Sequence, residues 1–139
     1  LNGLGPEGGA ALSEGLRGNS TLQLLNIGYN GIGDTGASAL AAILKETMIS
    51  SLNLAHNKLC GLDFQGHGTY TTEGITKLCE GLKGSAVTSL NIGYNGIGDT
   101  GASALAAILK ETMISSLNLA HNKLCGLDFQ GHGTYTTEG

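Results

Sequence analysis

The amino-acid sequence predicts a curved α/β solenoid, in which short strands form a parallel concave sheet and helices line the convex side. Three observations predict it. Residues 25–74 recur unchanged as residues 90–139, at an offset of 65 residues (90 − 25). Within each copy, a finer pattern of apolar and asparagine positions recurs, and a segment with helical spacing follows it. Because one such unit cannot bury its own apolar face, neighbouring units are expected to stack side by side.

Each unit opens with a predicted strand. The pattern apolar-x-x-Leu-x-apolar-x-x-Asn-x-apolar occurs four times, after a partial unit that contains Asn2 and Leu4. Its apolar residues alternate with others, which is the two-residue period of a strand with one buried face. The central leucines of the four patterns are Leu25, Leu52, Leu90 and Leu117.

The second half of each unit has helical spacing. Gly36, Leu40 and Leu44 lie four residues apart and therefore share one face of a helix, with alanines of high helix propensity between them. Asp34 lies two residues before this glycine, where an acidic side chain favours the start of a helix. We therefore expect the helix to begin at Gly36. Equivalent helices are expected to begin at Gly8, Gly74 and Gly101.

Essentially the whole chain resembles the ribonuclease-inhibitor-like (RNI-like) class of leucine-rich repeats. The motif that carries the resemblance is Leu-x-Leu-x-x-Asn-x-Ile-Gly-x-x-Gly-Ala, with its strand part present four times. The same class forms the ligand-sensing region of NOD-like receptors and the body of Ran GTPase-activating proteins. The resemblance implies a leucine-rich-repeat horseshoe, and a fold of this kind does not by itself name a ligand.

Four asparagines lie at the inward position after the strands. Such a side chain is suited to hydrogen-bond backbone groups in the turn. The resemblance implies that these residues form a structural asparagine ladder, made of Asn30, Asn57, Asn95 and Asn122.

A second set of residues is expected to point outward from the sheet and its rim, as a row of asparagines beside alternating tyrosines and histidines. One interpretation is a protein-binding surface, because exposed tyrosine is favoured at interfaces. The alternative is that these are tolerated surface residues of a diverged repeat. The set consists of Asn26, Tyr29, Asn53, His56, Asn91, Tyr94, Asn118 and His121.

The second full unit carries an insert at residues 60–72, which returns unchanged at residues 125–137. Insertions in solenoids map to loops on one face, often the binding side. We expect both inserts at the same edge of the sheet, two strands or about 10 Å apart. The insert is either a second contact edge, carried by His67 and His132, or a decoration that packs over the sheet edge through Phe64 and Tyr70 with His67 exposed.

Three catalytic or cofactor interpretations are disfavoured by spacing. Residues 31–36 read Gly-x-Gly-x-x-Gly, but the next strand ends without the acidic residue that a dinucleotide ribose requires. His56, Cys60, His67 and Cys79 have gaps that match no compact zinc module. No serine or cysteine stands in a nucleophile–base arrangement. The sequence therefore predicts no enzyme, no cofactor and no metal.

Net charge, the lengths of the apolar stretches and the number of cysteines limit the classes of partner and the cellular setting that we expect. The net charge is −4, and seven lysines and arginines are scattered singly, which disfavours nucleic acid as a partner. No apolar stretch approaches the roughly 20 residues that cross a bilayer, so no membrane partner is expected. Three cysteines, an odd number, favour reduced thiols and a cytoplasmic setting. The oligomeric state is open.

The chain is expected to be one array over residues 1–139 and a fragment of a longer solenoid, because it shows neither a leader nor capping repeats. Its expected function is a protein–protein interaction module or scaffold within a larger intracellular receptor-like or regulatory protein. The alternatives are a GTPase-activating regulator of a small GTPase and a structural spacer without its own ligand. The predicted units are residues 1–21, 22–48, 49–86, 87–113 and 114–139.

Overall fold

Helices and strands alternate along the chain in the computed structural model, which describes residues 3–63 and 65–124. Short 3₁₀ turns, Leu44–Glu46 and Leu109–Glu111, extend two of the helices. The elements in chain order are α1 (Gly5–Leu16), β1 (Leu24–Asn26), α2 (Gly33–Ile43), β2 (Ser51–Asn53), α3 (Glu73–Leu82), β3 (Ser89–Asn91), α4 (Gly98–Ile108) and β4 (Ser116–Asn118).

The four strands form one parallel sheet in the order β1-β2-β3-β4. The register aligns the central leucines, so that Leu25 pairs with Leu52, Leu52 with Leu90, and Leu90 with Leu117. Parallel neighbours require a crossover connection, and the helix of each unit supplies it. The sheet order therefore follows the chain order, as side-by-side stacking of the units requires.

The core lies between the sheet and the helices. The central strand residue Leu52 meets the helix residues Leu40 and Leu78 in a single cluster, and all three side chains are almost fully buried. Leu54 and Leu59 continue this cluster past the end of β2. Since the strand and helix patterns each bury one face against the other, the α/β solenoid predicted from the sequence is confirmed.

The recurring glycines do not open the helices as predicted, although the acidic start signal Asp34 lies in the first turn of its helix as expected. The second helix begins at Gly33, three residues before Gly36, and the fourth begins at Gly98 in the same way. Gly36 lies inside α2, where a β-carbon would be only 2.6 Å from the Cβ of Ile32. The recurring glycine therefore serves close packing against the turn and does not mark the first residue of the helix.

The other two helices depart from the prediction as well. The first begins at Gly5 and the third at Glu73, before the expected Gly8 and Gly74. None of the helices within the described parts of the chain is long and apolar enough to cross a membrane.

Candidate interaction surface

The buried asparagine after each strand ties two neighbouring units together. The Nδ2 group of Asn57 donates to the carbonyl of Ile27 at 2.8 Å. Its Oδ1 accepts the backbone N–H groups of Asn30 at 3.1 Å and Ile32 at 3.3 Å. Because Asn57 is fully buried, these bonds replace water for backbone groups that would otherwise lack partners.

The same arrangement recurs along the array. The Oδ1 of Asn95 accepts the N–H of Asn57 at 2.8 Å, and the Oδ1 of Asn122 accepts the N–H of Asn95 at 2.8 Å. At the first turn, the Oδ1 of Asn30 accepts the N–H of Leu4. Each of these asparagines thus fixes the turn of the unit before it, and the edge of the sheet is rigid at this point.

The residue just before each buried asparagine adopts a left-handed backbone. Tyr29, His56, Tyr94 and His121 have φ of 60°, 56°, 56° and 57°. This conformation is uncommon for residues other than glycine. It is held by backbone hydrogen bonds, such as that from the N–H of Tyr29 to the carbonyl of Ala55 at 2.9 Å. The left-handed turn places the four side chains together beyond the ends of the strands.

These four rings stack into one column, which we call the ring column (Tyr29, His56, Tyr94 and His121). Successive ring centroids lie 4.0, 4.1 and 4.2 Å apart, with interplanar angles of 16°, 14° and 17°. Parallel strands repeat at about 4.8 Å, so one ring from each unit meets its neighbour face to face. The tyrosines and histidines that were predicted to lie at the rim of the sheet are therefore in direct contact with one another.

The ring column presents ring edges to solvent, because most ring faces are covered by neighbours. Tyr29 is 50% exposed, whereas His56 and Tyr94 are half-buried and His121 is exposed. Desolvation lowers the pKa of His56, and the nearby His121 lowers it further. The lowered pKa favours the uncharged form of His56, and the column is an amphipathic strip of apolar ring surface and polar ring atoms.

The outward asparagines form a second strip beside the column, the amide row (Asn26, Asn53, Asn91 and Asn118). Their Oδ1 atoms accept the backbone N–H two residues later, at 3.1, 3.0, 3.0 and 2.9 Å. Sequence reasoning missed this Asx-turn role, although asparagine before a tight turn is its usual signal. Asn26 and Asn118 are exposed, and the two inner members are half-buried.

The insert after β2 is a folded loop. The Asp63 carboxylate accepts the N–H groups of Gln65 and His67 at 2.9 Å each, and the His67 Nδ1 lies 3.3 Å from it. These contacts lower the pKa of Asp63, chiefly through the backbone hydrogen bond from His67. The His67 side chain is 76% exposed. Phe64, His132 and the second insert at residues 125–137 lie outside the described residues.

The first insert packs over the turn of the next unit. The Tyr70 hydroxyl donates to the carbonyl of Ile97, and the ring of Tyr70 remains 40% exposed. A β-carbon on Gly96 would lie 3.0 Å from the Cβ of Leu62. Of the two interpretations of the insert, the described contacts show the packing of Tyr70 over the edge, while His67 faces solvent.

A groove of about 640 Å³ runs beside the ring column. The tyrosines and histidines on one side of the groove were predicted from the sequence as surface residues, whereas Gly31 and Lys58 on the other side were not. The signal available was the 65-residue offset, which makes Gly31 and Lys58 the counterparts of Gly96 and Lys123. The groove is lined by Gly3, Tyr29, Asn30, Gly31, His56, Lys58, Asp63 and Tyr94.

The residues considered for metal or cofactor binding have packing roles. Cys60 and Cys79 are buried, and burial raises their thiol pKa values to about 12 and about 11. In the glycine motif, Gly33 donates its N–H to the carbonyl of Asn57, and Ile32 leaves no space at Gly36. Across residues 3–63 and 65–124, no group of three or more His, Cys, Asp or Glu could hold a metal ion.

Comparison with known proteins supports the repeat class. Residues 18–41 and 86–106 match the leucine-rich-repeat family. These segments include β1 with α2 up to Ala41, and β3 with most of α4. Together with the parallel sheet and the crossover helices, the match identifies the fold as an α/β leucine-rich-repeat array.

A curated relative shows the same similarity over a longer stretch. The chain is 33% identical over 119 residues to the Tonsoku-like protein of Bos taurus. The aligned part is 84% of this chain and 8% of that protein. The chain thus spans a small fraction of the relative it matches.

Proposed function

We propose that this chain is a protein–protein interaction module of the RNI-like type, serving within a larger receptor-like or regulatory protein. The ring column and the amide row form its contact surface in this proposal. The observation that carries it is the unbroken stack of four rings, one from each unit, at a rigid edge of the sheet. Leucine-rich repeats generally bind proteins, and the family match therefore supports the proposal.

The chemistry of the strip suits a protein partner. Tyrosine contributes a large contact area with few rotatable bonds, and here the stack already fixes the rings. Little conformational freedom is then lost on binding, which favours affinity. The Nδ2 groups of the amide row supply donors next to this area, since their Oδ1 atoms are engaged in the turns.

We also propose an intracellular setting. The free, buried thiols of Cys60 and Cys79 support it, because reduced cysteines persist in reducing compartments. The receptor-like or regulatory context rests on the RNI-like resemblance alone and is part of the same proposal.

The test compares two matched variants of the whole chain. Tyr29→Asn with Tyr94→Asn removes two rings, and asparagine tolerates the left-handed backbone at these positions. Ala42→Glu with Ala107→Glu alters two exposed residues on the helical side. Proteins captured by the native chain are identified, and their affinity for each purified variant is measured by calorimetry.

We expect the ring variant to bind at least about tenfold more weakly and the helix variant to bind as the native chain does. Both variants must first show native circular dichroism and melting behaviour. Equal affinity of the ring variant and the native chain would overturn the assignment of the contact surface to the ring column.

A further inference from the structure

The array contains two copies of one surface site with identical residues, which we call the seat. The seat consists of the turn glycines after a strand and the lysine of the following unit. In one copy these residues are Gly96, Gly98 and Lys123, and 65 residues earlier they are Gly31, Gly33 and Lys58. The two copies differ in what covers them.

The later copy is occupied by the insert of residues 60–72. A β-carbon on Gly96 would lie 3.0 Å from the Leu62 Cβ, and one on Gly98 would lie 3.4 Å from the Tyr70 hydroxyl. At the far end of the seat, a β-carbon on Gly66 would lie 2.5 Å from the Lys123 Nζ. The tip of the insert therefore runs from the turn glycines to this lysine.

The earlier copy is open over most of its length. No heavy atom lies within 4 Å of a β-carbon placed on Gly31, and at Gly33 the nearest is the Pro6 Cγ at 3.7 Å. Gly31 is half-buried where Gly96 is buried, and Lys58 is exposed where Lys123 is half-buried. Gly31 and Lys58 of this open seat line the 640 Å³ groove beside the ring column.

We propose that this groove binds the insert at residues 125–137 of a second copy of the chain. That segment has the same sequence as residues 60–72, which fill the identical seat within the chain. The intramolecular contact is thus a template for the intermolecular one. The inference rests on the proposed function, because the ring column is a wall of the same groove, and it names a second copy as a partner.

The order within the insert favours such docking. Asp63 holds the tip through the N–H groups of Gln65 and His67, and Leu62 and Gly68 form an antiparallel bridge. The equivalent residues of the second insert are identical, so a segment of that sequence carries the same donor and acceptor groups.

The contact joins different surfaces of the two copies. The seat includes the turns after β1 and β2, whereas the docking insert follows β4 in the sequence, so the contact joins two different parts of the chain. Such a heterologous contact yields closed rings or open head-to-tail chains, depending on the rotation between neighbouring copies. Self-association is therefore expected to grow with concentration.

The first experiment titrates the whole chain into a fluorescent peptide of residues 125–137 with Cys125→Ser and follows anisotropy. The blocking variant is Gly31→Lys, whose backbone is compatible because Lys58 holds the equivalent position with φ of 58°. The matched control is Gly18→Lys, at an exposed glycine with φ of 73° and open space around it. A peptide with Leu127→Asp tests the residue that corresponds to Leu62.

We expect saturable binding to the native chain and to Gly18→Lys, and at least about tenfold weaker binding to Gly31→Lys and of the Leu127→Asp peptide. No binding by the native chain, or equal binding by both glycine variants, would overturn the proposal. The peptide assay needs no other partner, so its failure leaves the ring-column test unaffected.

Sedimentation of the whole chain supplies the second measurement. The native chain and Gly18→Lys are expected to shift to larger species as concentration rises, whereas Gly31→Lys and Leu127→Asp remain monomeric. A native chain that stays monomeric at concentrations where the peptide saturates the groove would exclude a second copy as the occupant.

Discussion

Gly81 of α3 lies against the backbone of Ala41 in α2, so closely that no side chain fits between them. A β-carbon at Gly81 would be 2.5 Å from the carbonyl oxygen of Ala41 and 2.8 Å from its Cα. Neighbouring helices therefore touch backbone to backbone at this level. Gly15 is the equivalent residue of α1, and nothing lies within 4 Å of its β-carbon position.

This difference predicts opposite effects of one substitution. Gly81→Ala is expected to destabilise the chain by about 2 kcal/mol, because overpacking exceeds the gain in helix propensity. Gly15→Ala has only that gain and is expected to stabilise the chain by about 0.5 kcal/mol. Urea unfolding of both variants measures the difference. A stabilised Gly81→Ala variant would show that α2 and α3 are not in backbone contact at this position.

Removal of a buried ladder asparagine is expected to be costly. Asn57→Ala leaves the N–H groups of Asn30 and Ile32 without their acceptor inside the core. We expect a loss of about 3 kcal/mol in unfolding free energy. Asn26→Ala removes an exposed Asx bond and is expected to lose less than about 1 kcal/mol. Similar losses for the two variants, measured by chemical denaturation, would contradict the ladder role.

The depressed pKa of His56 predicts a pH dependence of stability. The folded chain holds this imidazole below its usual pKa of 6.5, mainly by desolvation. The unfolded chain therefore takes up the proton first, so the contribution of His56 is present above that value and is lost as the pH falls below it. The stability of the native chain should therefore decrease as the pH falls through and below 6.5.

His56→Tyr tests the source of this dependence, since tyrosine already occupies the same backbone conformation at Tyr29 and Tyr94. We expect a smaller decrease in stability on acidification, with the ring column retained. Denaturation midpoints measured at several pH values test this expectation. If the midpoint of His56→Tyr depends on pH as strongly as that of the native chain, His56 is not the source of the pH dependence.

The buried cysteines are expected to resist alkylation in the folded state. Burial raises the pKa of Cys60 to about 12 and that of Cys79 to about 11, and the thiolate is the reactive form. At about pH 8, modification of both should require unfolding and follow its dependence on denaturant. Peptide-resolved mass spectrometry after an iodoacetamide pulse measures this. Rapid labelling without denaturant would show that the thiols are accessible.

The repeat class could be predicted from the sequence because it depends on periodicity. The leucine spacing set the register in which Leu25, Leu52 and Leu90 align, and the pattern placed the buried asparagines after the strands. The first residues of the helices could not be predicted from the repeat pattern. Gly36 was interpreted as a start signal, whereas its real constraint is a tertiary contact with Ile32.

The ring column could be predicted only as a list of residues. Face-to-face stacking depends on the left-handed backbone at Tyr29 and His56. Neither tyrosine nor histidine favours that conformation strongly enough for it to be predicted from the sequence. The groove was missed because its walls come from distant segments. Asp63 of the insert and Gly31 of an earlier unit meet there only after the units stack.

The ladder also gives the array a polarity. The backbone amides of each turn are completed by the asparagine of the following unit, as Asn57 completes the turn at Asn30. If a unit at the carboxyl end frays, the turn before it loses its acceptor. If a unit at the amino end frays, the Asn57 side chain loses its bond to the carbonyl of Ile27, but the backbone amide of Asn57 is still bonded to Asn95. Local melting should therefore travel toward the amino terminus more readily than away from it.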